Sequence, residues 1–253
     1  MDEFTLLPEE IERIVNFQGY GTVTAPVWFI GIEEGLGKMS DDDAKRNLKA
    51  RGDFETVMDL RVAHLRLRER GQLIDIETKR SFTQVWRYMA KVMLARNGDK
   101  NWSELPFADQ YIRFRLGRRG GNGGETFLTE LSPIPSKKSS NKEWYLWFRA
   151  RLGEDLDRKL EYRKQELKQV LAEQILKDKV PRLVVCYSQP RASEFARLLD
   201  IEWKPVPRFP RVCAASRDSA RYLLLPFFGN GHMGHQVITD LLNSGLLGYP
   251  SLG

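Results

Sequence analysis

Four short apolar runs constrain this chain more than any other feature. They are Val27-Trp28-Phe29-Ile30-Gly31-Ile32, Thr126-Phe127-Leu128-Thr129, Leu183-Val184-Val185-Cys186-Tyr187 and Tyr222-Leu223-Leu224-Leu225. Runs of this length, dominated by β-branched, aliphatic and aromatic residues, read as strands. With no polar face, they must be covered on both sides, which points to a parallel sheet under two layers of helices. Helical spacing fills the intervals. Pro8–Phe17 opens with proline and acids and carries Ile11, Ile14 and Val15 on one side. Ser81–Leu94 repeats Val85, Met89, Val92 and Met93. Asp155–Lys179 repeats Leu160, Leu167, Leu171 and Ile175 before Pro181 stops it. Arg191–Leu199 and His235–Leu242 are shorter helices. The expected fold is α/β: a three-layer α/β/α sandwich around a central four-stranded parallel sheet, in one domain over 1–253.

Two segments fall outside this alternation. Residues 40–78 read as a charged helical insertion containing Arg61, Arg66, Arg68 and Arg70. Arg113, Arg115, Arg118 and Arg119 lead into the glycine-rich stretch Gly120-Gly121-Asn122-Gly123-Gly124. The whole chain of 253 residues has 40 Lys+Arg against 34 Asp+Glu, a net charge of +6, which is compatible with a polyanion partner without establishing one. No apolar run approaches the roughly 20 residues needed to span a bilayer, so no membrane association is expected. The acidic start lacks the pattern of a signal peptide. Two cysteines, Cys186 and Cys213, are too few for a metal cage or an iron–sulfur cluster. They fit a reducing, cytoplasmic setting, and neither a metal nor a cofactor is expected.

In open parallel sheets, ligands collect at the carboxyl ends of the strands. The first strand is followed by Gly31-Ile32-Glu33-Glu34-Gly35, whose glycines permit close backbone approach and whose paired acids are costly to bury without a task. The second is followed by Glu130-Leu131-Ser132-Pro133, the third by Ser188-Gln189-Pro190-Arg191. The fourth leads into Pro226-Phe227-Phe228-Gly229-Asn230-Gly231-His232-Met233-Gly234-His235, which holds two of the chain's three histidines. Singly, each has a plain reading as a turn, a cap or a solvated acid. Together they point to a site.

Taken together, the four loops resemble the uracil-DNA glycosylase superfamily. Gly31-Ile32-Glu33-Glu34-Gly35 resembles its first motif, with Glu33 at the acid or amide position that holds the attacking water and Glu34 where the family has proline. Phe127 to Pro133 resembles its second strand, with Glu130 in place of the asparagine that reads the base. Phe227 to His235 occupies the place of its histidine loop, without the His-Pro-Ser triplet. His232 is the better match to the family histidine, and His235 the near alternative. The resemblance implies a DNA glycosylase in which Glu33 and His232 are catalytic. Gly31, Ile32, Glu34, Gly35, Glu130, Ser132, Ser188, Arg191, Phe228, Asn230 and His235 would line the base site. Lys137, Lys138, Arg118 and Arg119 would hold DNA phosphates. The partner would be DNA, double-stranded with a flipped base or single-stranded, and the protein a monomer.

Glu130 sharpens the substrate. Asparagine can donate to and accept from a uracil edge, whereas an ionised glutamate only accepts. Cytosine offers an exocyclic amino group at that edge, and uracil offers a carbonyl oxygen. A cytosine-type base therefore fits better than uracil, and because excision of plain cytosine would attack the host's own genome, a modified cytosine is the expected target, as in superfamily members that act against phage DNA. A non-catalytic nucleic-acid binder on the same fold is the alternative. An enzyme of free nucleosides and a metal nuclease account for less of the sequence.

Overall fold

The computed structural model describes residues 4–35, 39–69, 76, 82–120, 124–136, 143–176, 183–207, 209–229 and 231–248. In chain order the elements are α1 (Pro8–Asn16), β1 (Gly19–Gly21), β2 (Val27–Gly35), α2 (Asp41–Arg51), β3 (Val57–Met58), α3 (Leu60–Glu69), α4 (Gln84–Arg96) and α5 (Leu105–Phe114). They continue with β4 (Thr126–Ser136), α6 (Glu143–Leu152), α7 (Asp155–Leu176), β5 (Leu183–Tyr187), α8 (Ala192–Leu199), β6 (Lys204–Val206), β7 (Phe209–Arg217), β8 (Ala220–Leu225) and α9 (His235–Asn243).

The protein is α/β, and its sheet is mixed and eight-stranded, in the order β3-β1-β4-β2-β5-β8-β7-β6. The expectation of a four-stranded parallel sheet is corrected here. The four anticipated strands are adjacent and mutually parallel as β4-β2-β5-β8, but antiparallel neighbours extend the sheet on both sides. The additions lacked a pattern to announce them. β1 is Gly-Tyr-Gly, and Gly21 adopts φ 101° with room for no side chain, since an added Cβ would stand 2.1 Å from the Thr126 carbonyl oxygen. β7 is fully buried only at Val212 and joins β8 through Asp218 and Ser219, both at positive φ, the geometry of a two-residue hairpin turn matched to strand twist.

Alternate residues of the central strands feed two cores. Val27, Phe29, Val185, Leu223 and Leu225 pack with Leu60 and Ala63 of α3, Met89 and Met93 of α4, Ile112 of α5 and Ile238 of α9. Trp28, Ile30, Val184, Tyr222 and Leu224 face the other way, onto Leu167 and Leu171 of α7 and Phe195 and Leu198 of α8. This period-two division explains why the runs carry no polar face. A third cluster joins α1, α2, α6 and Ile134 of β4. Trp144 and Phe148 are buried in it, as ordinary helix packing requires.

The segment 40–78 is not wholly helical. β3 lies within it and pairs in parallel with β1, and Leu48, Phe54, Met58, Leu60 and Leu67 are buried. It completes the sheet edge and one core. Arg70 lies outside the described residues.

Candidate functional site

The two strands that carry the acids run further than their apolar runs suggest. β2 continues through Glu33 to Gly35, and β4 continues through Glu130 and Ser132 to Ser136, with Gly31 opposite Glu130 and Glu33 opposite Ser132. Glu33, Glu130 and Ser132 are therefore strand residues, and the expectation that they sit in loops is corrected. Pro133 and Pro135 are tolerated because β1 pairs only with Phe127 and Leu128 of β4, and among the described residues no further strand pairs on that side. The Ser132 hydroxyl accepts from the Ile134 amide at 3.3 Å, a local turn within the strand. Side chains alternate along strands, so Gly31 and Glu33 share the face of Val27 and Phe29, and Glu130 shares that of Leu128.

On this face Tyr187, the last residue of β5, donates its hydroxyl to Glu130 Oε1 at 2.8 Å. Glu130 Oε2 is buried and lies over Gly31. A Cβ at position 31 would stand 1.9 Å from Oε2 and 2.3 Å from the Tyr187 hydroxyl oxygen, so glycine is required here for space. The Tyr187 ring stacks on Phe228, centroids 4.7 Å apart and planes 12° from parallel. Phe228 in turn meets Phe29 and Tyr88 of α4. Phe228, expected to line the base site, is fully buried and supports the Tyr187 ring. Met233 is buried as well, and Phe227 is half-buried beside Tyr187.

The loop after β8 separates the two histidines. His232 is exposed and its backbone amide bonds the Gly229 carbonyl at 3.3 Å. His235 begins α9 and its Nε2 lies 2.6 Å from Lys91 Nζ of α4, with Trp102 against its ring. Burial, then the Lys91 charge, holds the His235 imidazole below its usual range. Burial, then nearby Arg87, lowers the Lys91 ammonium, and Asp109 offsets part of this. An ammonium has only donors, so with Lys91 charged the contact runs from Nζ to His235 Nε2, and the His235 hydrogen sits on Nδ1. Arg87 is held by Asp109 in a two-pronged pair at 2.8 and 2.9 Å.

The remaining candidates are scattered. Ser188 is buried and its side chain caps nothing, although Pro190 does open a short 3-10 turn as its position suggests. Arg191 pairs with Glu194. Ile32 and Glu33 are half-buried and Gly35 is exposed. The side chain of Glu34, Asn230, Lys137, Lys138 and residues 121–123 lie outside the described residues.

Arg118 and Arg119 sit at the β1–β3 end of the sheet, already engaged. Arg118 bonds Asp59 at 3.0 Å, and Arg119 bonds Glu55 at 2.9 Å and the Val57 carbonyl at 3.0 Å. The Arg119 amide also donates to Asp59, as do those of Arg61 and Val62 at the start of α3. Burial pushes the Asp59 carboxyl up, but these donors outweigh it and hold it below its ordinary value.

Two site residues escaped the sequence reading. Tyr187 ends an otherwise aliphatic strand, and Lys91 interrupts the apolar run Met89–Ala95 yet is only 4% exposed. In each case a single polar group within a core pattern was the available signal. Among the described residues no cluster of His, Cys, Asp and Glu is arranged to hold a metal, and no helix is long and apolar enough to cross a membrane. Cys186 and Cys213 are free thiols, and burial pushes that of Cys186 up. An open groove of about 520 Å³ lies at the opposite sheet edge, between Asp200–Lys204 and Ala214–Arg217, away from the acids. Comparison with family models, curated proteins and solved structures gave no match.

Proposed function

We propose that the chain is a DNA glycosylase that hydrolyses the N-glycosidic bond of a flipped-out, modified cytosine. Its role would be defence against phage DNA, in the cytoplasm, as a monomer and without a cofactor. The observation that carries the reading is the pairing of two carboxylates with an aromatic support. Glu130, held by Tyr187 at the end of β5, and Glu33, two residues beyond the Gly31 that pairs with Glu130, occupy the same face of β2 and β4. The parallel order of β4, β2, β5 and β8 brings the four sequence motifs to one edge.

N-glycosidic cleavage develops positive charge on the sugar and negative charge on the departing base. Glu33 would hold water and oppose the first. A histidine would donate to the second. His232 is exposed for that task, whereas the Nε2 of His235 is occupied by Lys91, leaving Nδ1 to carry its hydrogen. Glu130 would accept from the exocyclic amine of the base. Oligonucleotides carrying uracil, cytosine, hydroxymethylcytosine or glucosylated hydroxymethylcytosine, assayed for released base, test this. Release from the modified cytosines is the expected result, and preference for uracil would overturn the assignment.

A further inference from the structure

Tyr187 is held more firmly than a solvent-facing strand end requires. It is 2% exposed, its ring is stacked on Phe228, and Phe228 is itself wedged between Phe29 and Tyr88. The ring therefore cannot swing without disturbing the core beneath α4. Its one polar atom is delivered to Glu130 Oε1, while Glu130 Oε2 occupies the space that the missing Cβ of Gly31 leaves open. A phenylalanine would fill the same volume, so packing alone does not call for the hydroxyl.

The chemistry of that hydrogen bond is directional. Tyr187 donates, so Glu130 accepts, and a donor to the ionised form of a carboxylate favours ionisation. The buried Arg163 guanidinium of α7 acts in the same direction through its charge, whereas the Tyr187 hydroxyl also fixes the carboxylate's orientation. The distinction matters for a base edge. An ionised Glu130 can only accept, and admits an exocyclic amine. A protonated Glu130 could present its O–H to a carbonyl and would admit the 4-oxo edge of uracil as well. Resting on the base-excision reading, we infer that Tyr187 is the positioning residue that sets the class of base accepted. By donating to Glu130 it keeps that carboxylate an oriented, ionised acceptor, so the site takes 4-amino pyrimidines and refuses 4-oxo ones. Sites built to pair a particular hydrogen-bonding group reject analogues that lack it far better than apolar pockets do.

The test replaces only the hydroxyl. Tyr187→Phe keeps the ring and its stacking on Phe228. The Glu130 carboxyl, labelled with carbon-13 and assigned through Glu130→Gln, should titrate at higher pH in Tyr187→Phe than in the wild type. In matched oligonucleotides the ratio of modified-cytosine to uracil excision should fall by about tenfold or more, most strongly at acid pH. Glu130→Gln can donate and accept, so it should lower that ratio by itself and cancel the further effect of Tyr187→Phe in the double variant. A purely structural tyrosine would reduce both activities together and leave the ratio unchanged. Either that unchanged ratio or an unchanged Glu130 titration overturns the role of Tyr187. A wild-type protein that releases no base from any oligonucleotide overturns the excision reading instead, independently of the titration.

Discussion

Two charged regions of this molecule stood out in the sequence, and the structure treats them oppositely. Within β2 and β4, Glu33 and Glu130 share one face of the sheet, and Glu130 meets a tyrosine hydroxyl over an aromatic stack. At the corner near β3, Arg118 and Arg119 meet Asp59 and Glu55. The first region sets Glu33 and Glu130 within two strands, with the Tyr187 hydroxyl on Glu130 and the buried Arg163 guanidinium acting on it. The second balances its charge internally and ties the chain before β4 to the start of α3. The number of charges in a segment does not distinguish these outcomes. What separates them is which distant groups are folded against them.

The contrast can be broken most severely at Glu33. Glu33→Gln should leave folding intact and lower base excision about a hundredfold or more, read from single-turnover release. A non-catalytic binder would keep its DNA affinity and have no turnover to lose. Gly31→Ala comes next, because the added methyl overlaps both Glu130 and Tyr187. Overpacking of this kind costs about 1–3 kcal/mol, measurable by denaturant unfolding, and should impair excision as well.

On the other side of the comparison, Asp59→Ala should destabilise the fold by about 1–2 kcal/mol through loss of the α3 cap and the Arg118 pair. The Asp59 carboxyl lies below its ordinary value, so its contribution is present above that value, near 3.8, and fades as pH falls through the lower, folded one. Acid unfolding of the wild type and Asp59→Ala should therefore converge at low pH. His235 has the same sign at a higher pH. Its folded value is depressed, so its contribution is complete above about 6.5 and declines as pH drops toward the folded value. Lys91→Met should raise the His235 midpoint in a proton NMR titration.

The smallest effect belongs to Arg119. Its pair with Glu55 is exposed on both sides, and Arg119→Ala should change stability by no more than about 0.5 kcal/mol. Sequence alone suggests that Arg118→Ala and Arg119→Ala weaken DNA binding uniformly and reduce its salt dependence. With both guanidiniums engaged, a weakening of only a few-fold is expected. A large loss with a shallower salt slope would mean that phosphates displace Asp59 and Glu55.

Much of the framework was legible because buried parallel strands leave an unmistakable record. Val27–Ile32, Leu183–Tyr187 and Tyr222–Leu225 must satisfy two cores at once, so nearly every residue is apolar. The helices α1, α4, α7, α8 and α9 were legible for a related reason, since each covers one face with a repeating stripe. β1, β3, β6 and β7 were not, because strands with exposed positions, glycines or two-residue lengths take their shape from a neighbour's free backbone groups. The candidate acids were visible as residues, but their partners were not. Tyr187 is 57 positions from Glu130, and Lys91 is 144 from His235.

By itself, then, the sequence determined a parallel strand core, its helical cover and the motifs that end its strands, because these follow from short-range periodicity and burial. Only the tertiary structure decided how far the sheet extends, that Phe228 stacks under Tyr187, that Arg118 and Arg119 are already paired, and that Glu130 accepts from Tyr187. Each of those depends on which distant groups close to hydrogen-bonding or van der Waals distance, and no local pattern encodes that.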